Sequence, residues 1–143
     1  MTDSILNLDR QICHALYSAS NALVRAYRPL LQPLGLTYPQ YVLMMSLWQR
    51  DGVSIKELAR HTKFDAATLT PMLKRLESKN MIALVSSEQD ERSKIVSLTS
   101  DGEKLKKAAK KVPEQLVCNI DLPRERALEL KALCDELNQR LEQ

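Results

Sequence analysis

The sequence predicts a mainly α (α+β) protein built round a helix-turn-helix and a two-stranded hairpin, and three observations predict it. Apolar residues recur at spacings of three and four over most of the chain, the mark of one-sided helices. Two short helical stretches are joined by a tight turn at Lys63-Phe64-Asp65. Directly after them the period falls to two, in two stretches separated by a wholly polar tip.

Residues 5–28 read as the first helix, with Ile5, Leu8, Ile12, Ala15, Leu16, Ala19, Leu23 and Ala26 mostly three or four apart. Pro29, Pro33 and Gly35 then break the pattern. Thr37-Tyr38-Pro39 starts a second helix, with Pro39 in the first turn, where its missing N–H costs nothing. That helix runs to about residue 50 and is apolar round much of its girth (Val42, Leu43, Met44, Met45, Leu47, Trp48), so it should be the buried centre of the domain. Asp51-Gly52 ends it.

Ser54 opens a short helix to about residue 63, with Glu57 placed three residues on as in a capping box. The next helix, residues 66–80, has Leu69, Met72, Leu73 and Leu76 on one face and Thr68, Thr70, Lys74, Arg75 and Lys79 on the other. Pro71 counts against a regular helix here, since it removes a donor and favours a kink in the early turns. Asn80 suits the helix end. Residues 81–87 and 94–98 read as strands on either side of the tip Glu88-Gln89-Asp90-Glu91-Arg92-Ser93. A helix-turn-helix followed by such a hairpin is a winged helix. Thr99 and Ser100 cap a helix over residues 101–111, which Pro113 interrupts or kinks. A last helix covers about residues 123–141, with Ala127, Leu130, Cys134, Leu137 and Leu141 as its apolar stripe.

At 143 residues the chain fits a single domain, 1–143, large enough to bury a core without disulfide or metal. Within it, residues 37–99 form the winged helix-turn-helix, a DNA-binding region. Residues 5–36 and 100–143 form a helical dimerisation region, because the terminal helices carry more apolar surface than a small winged helix can cover. The two sets of terminal helices are expected to intertwine as one dimerisation domain. No apolar run approaches ~18 residues and the N-terminus lacks a secretory pattern, so a cytoplasmic protein with no membrane contact is expected. Net charge is +3, unevenly spread. Residues 54–111 hold 13 bases against 8 acids, and the rest of the chain 8 against 10. A basic middle between mildly acidic ends fits a segment that binds a polyanion, though ordinary surface charge accounts for it equally. Cys13, Cys118 and Cys134 lie far apart, and His14 and His61 offer no ligand spacing. Neither a metal, a cofactor nor a disulfide framework is therefore expected.

Double-stranded operator DNA is the polyanion that suits a winged helix. Thr68 and Thr70 are short donors or acceptors for base edges or phosphates, and Lys74 and Arg75 suit phosphates or guanine. Arg92 at the hairpin tip suits a narrow A·T-rich minor groove, with Asp90 two residues back to orient it. A plain surface salt bridge is the other reading of that pair. One recognition helix makes too few contacts for a selective site, so a homodimer reading half-sites ~34–36 Å apart is expected. A DNA-packaging protein without sequence preference is the blander alternative.

Asp90-Glu91-Arg92-Ser93-Lys94 followed by Leu98-Thr99-Ser100-Asp101-Gly102 resembles the wing signature of MarR-type winged-helix regulators, which brings Lys94 into the DNA-facing set. Within that family, two stretches resemble the organic hydroperoxide resistance regulators of the two-cysteine type. One is Leu8-Asp9-Arg10-Gln11-Ile12-Cys13-His14-Ala15-Leu16-Tyr17-Ser18-Ala19-Ser20. The other is Tyr27-Arg28-Pro29-Leu30-Leu31 continuing through Leu34-Gly35-Leu36-Thr37-Tyr38-Pro39-Gln40-Tyr41. Leu69-Thr70-Pro71-Met72-Leu73-Lys74-Arg75-Leu76 also fits, proline included. The resemblance runs from about residue 8 to 118. It implies a homodimeric repressor that leaves its operator when organic hydroperoxide oxidises one cysteine. By resemblance Cys13 stands at the peroxide-reactive thiol and Cys118 at the resolving cysteine that forms an intersubunit disulfide. Tyr27 and Tyr38 stand at the two tyrosines that reach the thiol from the other subunit, and Tyr17 at a nearby pocket tyrosine. Cys134 has no assigned counterpart, and its place on an apolar stripe favours a core role.

Elementary geometry bears on these positions. Cys13 and Tyr17, four apart, share one helix face. Tyr27 is fourteen residues from Cys13, ~21 Å along a continuous helix at ~1.5 Å per residue. Contact between them requires a second chain with the first helices antiparallel. An ordinary thiol is only a few per cent thiolate at neutral pH, and sensing needs the anion. The helix N-terminus, close by if Asp9 is the N-cap, and tyrosine hydroxyls are the groups available to hold it. Spacing alone reads Cys13 as a small core residue; the motif resemblance reverses that. Two other functions stay open. One is release by a small phenol or aromatic acid in the dimer cleft. The other is a thiol peroxidase, which lacks a CxxC pattern here and would leave the winged helix unexplained.

Overall fold

The computed structural model describes residues 2–87 and 93–142. Its elements are α1 (Ile12–Leu31), α2 (Tyr38–Gln49), β1 (Val53–Ser54), α3 (Ile55–Thr62), α4 (Ala66–Ser78), β2 (Ile82–Ser86), β3 (Lys94–Leu98), α5 (Ser100–Ala109), α6 (Lys111–Ile120) and α7 (Arg124–Leu141). Short 3-10 turns at Thr2–Leu6 and Leu8–Arg10 precede α1, and a third at Gln32–Leu34 follows it. The chain divides into two compact units, Met1–Val112 and Pro113–Gln143.

The first unit is a winged helix in the order α2-β1-α3-α4-β2-β3, carried behind α1. As its composition predicts, α2 is central: Leu43, Met44 and Leu47 are fully buried, together with Leu58, Leu69, Leu76 and Val96. The starts of α2, α3 and α5 are held by local caps. Thr37 makes a complete capping box, its hydroxyl accepting from the Gln40 N–H at 3.3 Å while the Gln40 amide oxygen accepts from the Thr37 N–H at 3.1 Å. At α3 the expected box is half formed: the Ser54 hydroxyl accepts from the Glu57 N–H at 3.1 Å, with no answering bond from Glu57. Thr99 caps α5 by accepting from the Gly102 N–H.

The sheet differs from expectation by one strand. β1 pairs with β3, giving the antiparallel order β1-β3-β2 with Val53 opposite Val96 and Ile82 opposite Leu98. Two residues are too few to show a period, so only the tertiary pairing reveals β1. The first helix is also corrected. It begins at Ile12, because Leu8–Arg10 closes as a 3-10 turn in which the Asn7 side chain accepts from the Asp9 N–H. Gln11, not Asp9, is the N-cap of α1, and it makes no side-chain cap bond. At the other end α1 runs through Pro29 to Leu31. The proline removes one donor near the end, and the Gln32 N–H still closes on the Arg28 carbonyl.

α4 likewise runs unbroken through Pro71 and stops two residues before the expected Asn80. There Asn80 takes a left-handed conformation, φ 60°. Its N–H bonds the Glu77 carbonyl at 2.9 Å, and the Met81 N–H bonds that of Leu76 at 3.0 Å, the Schellman pattern. α5 ends at Ala109, four residues before Pro113 and so earlier than expected, because the proline has no N–H for the Ala109 carbonyl. α6 then starts with Pro113 in its first turn.

Gly102 sets the fit of α5 against the sheet. A Cβ there would lie 2.1 Å from the Met81 carbonyl oxygen, and the Gly102 carbonyl accepts from Trp48 Nε1 at 2.9 Å. Gly102→Ala is expected to cost about 1–3 kcal/mol by overpacking, seen as a fall of several degrees in the thermal midpoint.

The second unit holds the remainder of α6 and α7. None of the described residues of α7 is fully buried, and Leu128, Leu130, Leu133 and Leu141 are exposed. Cys134 is half-buried, so its expected core role is not met within this chain.

Candidate DNA interface and thiol site

The turn before α4 is made by Lys63, in the left-handed region at φ 67°, and by Asp65, whose carboxylate accepts from the Thr68 N–H at 2.7 Å. Hydrogen bonds from the Thr68 side chain and then its backbone hold the Asp65 carboxyl below the usual carboxylate range. The cap fixes which face of α4 turns outward. Leu69, Met72, Leu73 and Leu76 are buried, whereas Thr68, Thr70, Lys74 and Arg75 are all exposed. The Thr70 hydroxyl donates to the Ala66 carbonyl at 3.1 Å, leaving its lone pairs as acceptors. Lys94 is exposed at the start of β3. Asp90 and Arg92 lie outside the described residues. Lys79, read from the sequence as part of the same outer face, is engaged elsewhere: its ammonium donates to the Gly35 carbonyl and the Gln40 amide oxygen.

Cys13 is the second residue of α1 and is exposed; Tyr17, one turn on, is 69% exposed. Since α1 is unbroken from Ile12 to Leu31, Tyr27 stands ~21 Å along the axis from Cys13 in the same chain. Tyr27 instead joins α2. Its ring centroid is 5.0 Å from that of Tyr38 and 5.7 Å from that of Tyr41. The structure therefore brings Tyr27 and Tyr38 together and leaves Cys13 and Tyr17 at the far end of the helix. Tyr41, which the sequence reading did not single out, is the buried member of the cluster at 2% exposure. Its signal was its place three residues after Tyr38, on the same face of α2. Cys118 is exposed on α6 in the second unit.

Burial, reinforced by Tyr38 and Tyr41, pushes the Tyr27 phenol up to about 12. Burial raises Tyr38 as well, and burial followed by Tyr38 raises Tyr41. All three stay neutral O–H donors across the physiological range. An unfolded Tyr27 ionises near 10 and a folded one near 12, so its contribution is intact below pH 10 and is lost as pH rises towards 12. Tyr27→Phe should flatten the alkaline arm of a stability–pH curve measured by urea denaturation; an unchanged arm would contradict the burial of this phenol.

A cleft of about 740 Å³ among α2, β1 and α3 is lined by Ser46, Arg50, Arg60, His61 and neighbours, and by none of the candidate residues. Among the described residues no group of three or more metal-ligating side chains occurs, and no helix is long and apolar enough to cross a membrane.

Residues 25–109, which hold the tyrosine cluster and the whole winged helix, match the family described as transcriptional regulator SarA/Rot. The chain belongs to that family of MarR-type winged-helix transcriptional regulators. It is 38% identical over 137 residues to the organic hydroperoxide resistance transcriptional regulator of Bacillus subtilis, covering 96% of this chain and 91% of that one. Among solved structures, the reduced, DNA-bound form of AbfR, a protein of Staphylococcus epidermidis, matches with a TM-score of 0.83 at 30% identity, over 99% of this chain and 97% of AbfR. The disulfide-formed AbfR matches with a TM-score of 0.64 at 29% identity, over 99% and 94%. One of these relatives is a transcriptional regulator and the other is seen bound to DNA, which bears out the winged-helix fold and the regulatory class read from the sequence.

Proposed function

We propose that this regulator is a repressor which binds double-stranded operator DNA as a reduced homodimer and is released when an organic hydroperoxide oxidises Cys13. The observation that carries the reading is the division of the thiol site along α1. An exposed cysteine and tyrosine sit at one end, and a cluster of neutral tyrosine donors at the other. An antiparallel pair of α1 helices from two copies would complete each site, with Tyr27 and Tyr38 of the partner subunit as donors to the sulfur anion. Exposed Ile5, Leu6, Leu8 and Ile12 give such a site an apolar rim, which suits an organic peroxide. Those residues, with the exposed apolar side chains of α7, support assigning 5–36 and 100–143 to dimerisation and 37–99 to DNA contact.

The chemistry balances in two steps. The Cys13 thiolate attacks one peroxide oxygen; an S–O bond forms, the O–O bond breaks, and the alcohol leaves with a proton. The thiol of Cys118 of the partner subunit then attacks that sulfur, forming the disulfide and releasing water. A disulfide demands Cα atoms ~4.4–6.8 Å apart, so closure resets the relation between the subunits and with it the spacing of the two α4 helices. Thr68, Thr70, Lys74 and Arg75 of α4, with Asp90, Arg92 and Lys94 of the hairpin, carry the DNA contact. An odd number of cysteines in a DNA-binding regulator suits a cytoplasmic setting.

The test is operator binding at fixed salt before and after one equivalent of cumene hydroperoxide, with peptide mapping under non-reducing conditions. Loss of affinity by about tenfold or more, with a Cys13–Cys118 linked peptide, is expected. Equal affinities would end the proposal, and a Cys13–Cys134 peptide would transfer the resolving role.

A further inference from the structure

One polar contact ties the tyrosine cluster to the DNA-reading helix. Lys79, the C-cap of α4, donates from its ammonium to the Gly35 carbonyl at 2.6 Å and to Gln40 Oε1 at 2.9 Å. Gln40 is buried, 3% exposed, and the same amide oxygen accepts the Thr37 N–H that closes the capping box of α2. The first residue of that capped turn is Tyr38, whose ring meets Tyr27. Gly35 holds the other side of the junction in a left-handed conformation, φ 69°. Three segments thus converge on one ammonium: the turn leaving α1, the first turn of α2 that bears Tyr38, and the end of α4.

We propose that Lys79 is a positioning residue that transmits displacement of Tyr38 to α4. The inference rests on the redox reading above, in which Tyr38 serves the thiol of the partner subunit. A carboxamide oxygen that accepts from both a helix cap and a lysine cannot move with α2 without pulling the lysine or losing the bond. α4 is a continuous helix from Ala66 to Ser78, so a pull at its C-cap is felt at Lys74 and Arg75, five and four residues upstream. The other anchor of the same helix end is Asn80, whose side chain donates to Asp101 and whose carbonyl accepts from the Thr99 hydroxyl. That anchor ties α4 to α5, not to the tyrosines. Cutting Lys79 therefore leaves α4 seated on the core while removing its polar link to Gly35 and Gln40 on the sensor side. No base contact is needed for the role, because the ammonium is directed at two oxygens of this chain.

Operator affinity of the full-length protein, reduced and then treated with cumene hydroperoxide, gives a ratio that measures coupling between the two sites. Lys79→Met keeps the aliphatic stem and removes the donors. It is expected to bind DNA within about threefold of the wild type when reduced, while its reduced-to-oxidised ratio falls by about fivefold or more. Lys79→Arg, which retains donors, should restore most of the ratio. A merely structural role would lower the thermal midpoint and leave the ratio untouched. A wild-type ratio near one would bring down the redox reading and this coupling with it. A large wild-type ratio that Lys79→Met does not change would overturn the coupling alone.

Discussion

Cys13→Ser is expected to stay on its operator at hydroperoxide concentrations that release the wild-type protein completely. Serine offers no sulfur to form the sulfenic acid, and its hydroxyl is no nucleophile towards a peroxide at neutral pH. The position is exposed in the first turn of α1, so the variant should fold normally. Reduced operator affinity should remain within about threefold, the range of ordinary surface substitutions. The same variant separates the competing mechanism, since a repressor released by a phenol in the dimer cleft would still respond to that ligand. Gel shifts with cumene hydroperoxide and with salicylate, on the wild type and on Cys13→Ser, decide between them. Peroxide release that survives in the variant would place the sensor at another thiol.

Reversing charge on the outer face of α4 should have the other large effect. Lys74→Glu combined with Arg75→Glu places acids where phosphates are expected, and in a homodimer each change is made twice. Affinity should fall by at least about 100-fold, and the slope of log affinity against log salt should flatten by ~0.9 for each phosphate that is no longer neutralised. Both side chains are exposed while Met72, Leu73 and Leu76 carry the packing, so the thermal midpoint should hold. Fluorescence anisotropy across a salt series checks both numbers. An unchanged slope would mean that α4 is not the element laid against DNA.

Much of the winged helix was legible because its parts are specified by neighbours in sequence. The starts of α2, α3 and α5 were marked by Thr37, Ser54 and Thr99, whose hydroxyls cap the third residue on. The alternation of residues 82–86 and 94–98 marked the hairpin, whose register then follows from the pairing of Ile82 with Leu98. The outward face of α4 followed from the spacing of its four buried residues. Prolines misled in two places. Pro29 near the end of α1 and Pro71 in the middle of α4 sit inside continuous helices, since losing one donor costs less than packing the rest of the helix provides. Tyr27 and Tyr38 were named for their likeness to known regulators; the unbroken α1 keeps Tyr27, beside Tyr38, at the opposite end from Cys13, which is the separation the proposed shared site requires.

The sequence by itself determined the order of α1 to α5 and α7, the caps of α2, α3 and α5, the hairpin and the polar face of α4, because each depends on residues within a few positions of one another; α6 and the true N-cap of α1 were not read from it. Tertiary structure decided the third strand at Val53, the burial of Tyr41, the close approach of Gly102 to Met81 and the grip of Lys79 on Gly35 and Gln40. Those contacts join residues that lie twenty to forty-odd positions apart or belong to segments too short to show a period. Only a folded core brings such groups into reach, and a pattern read along the chain has no term for it.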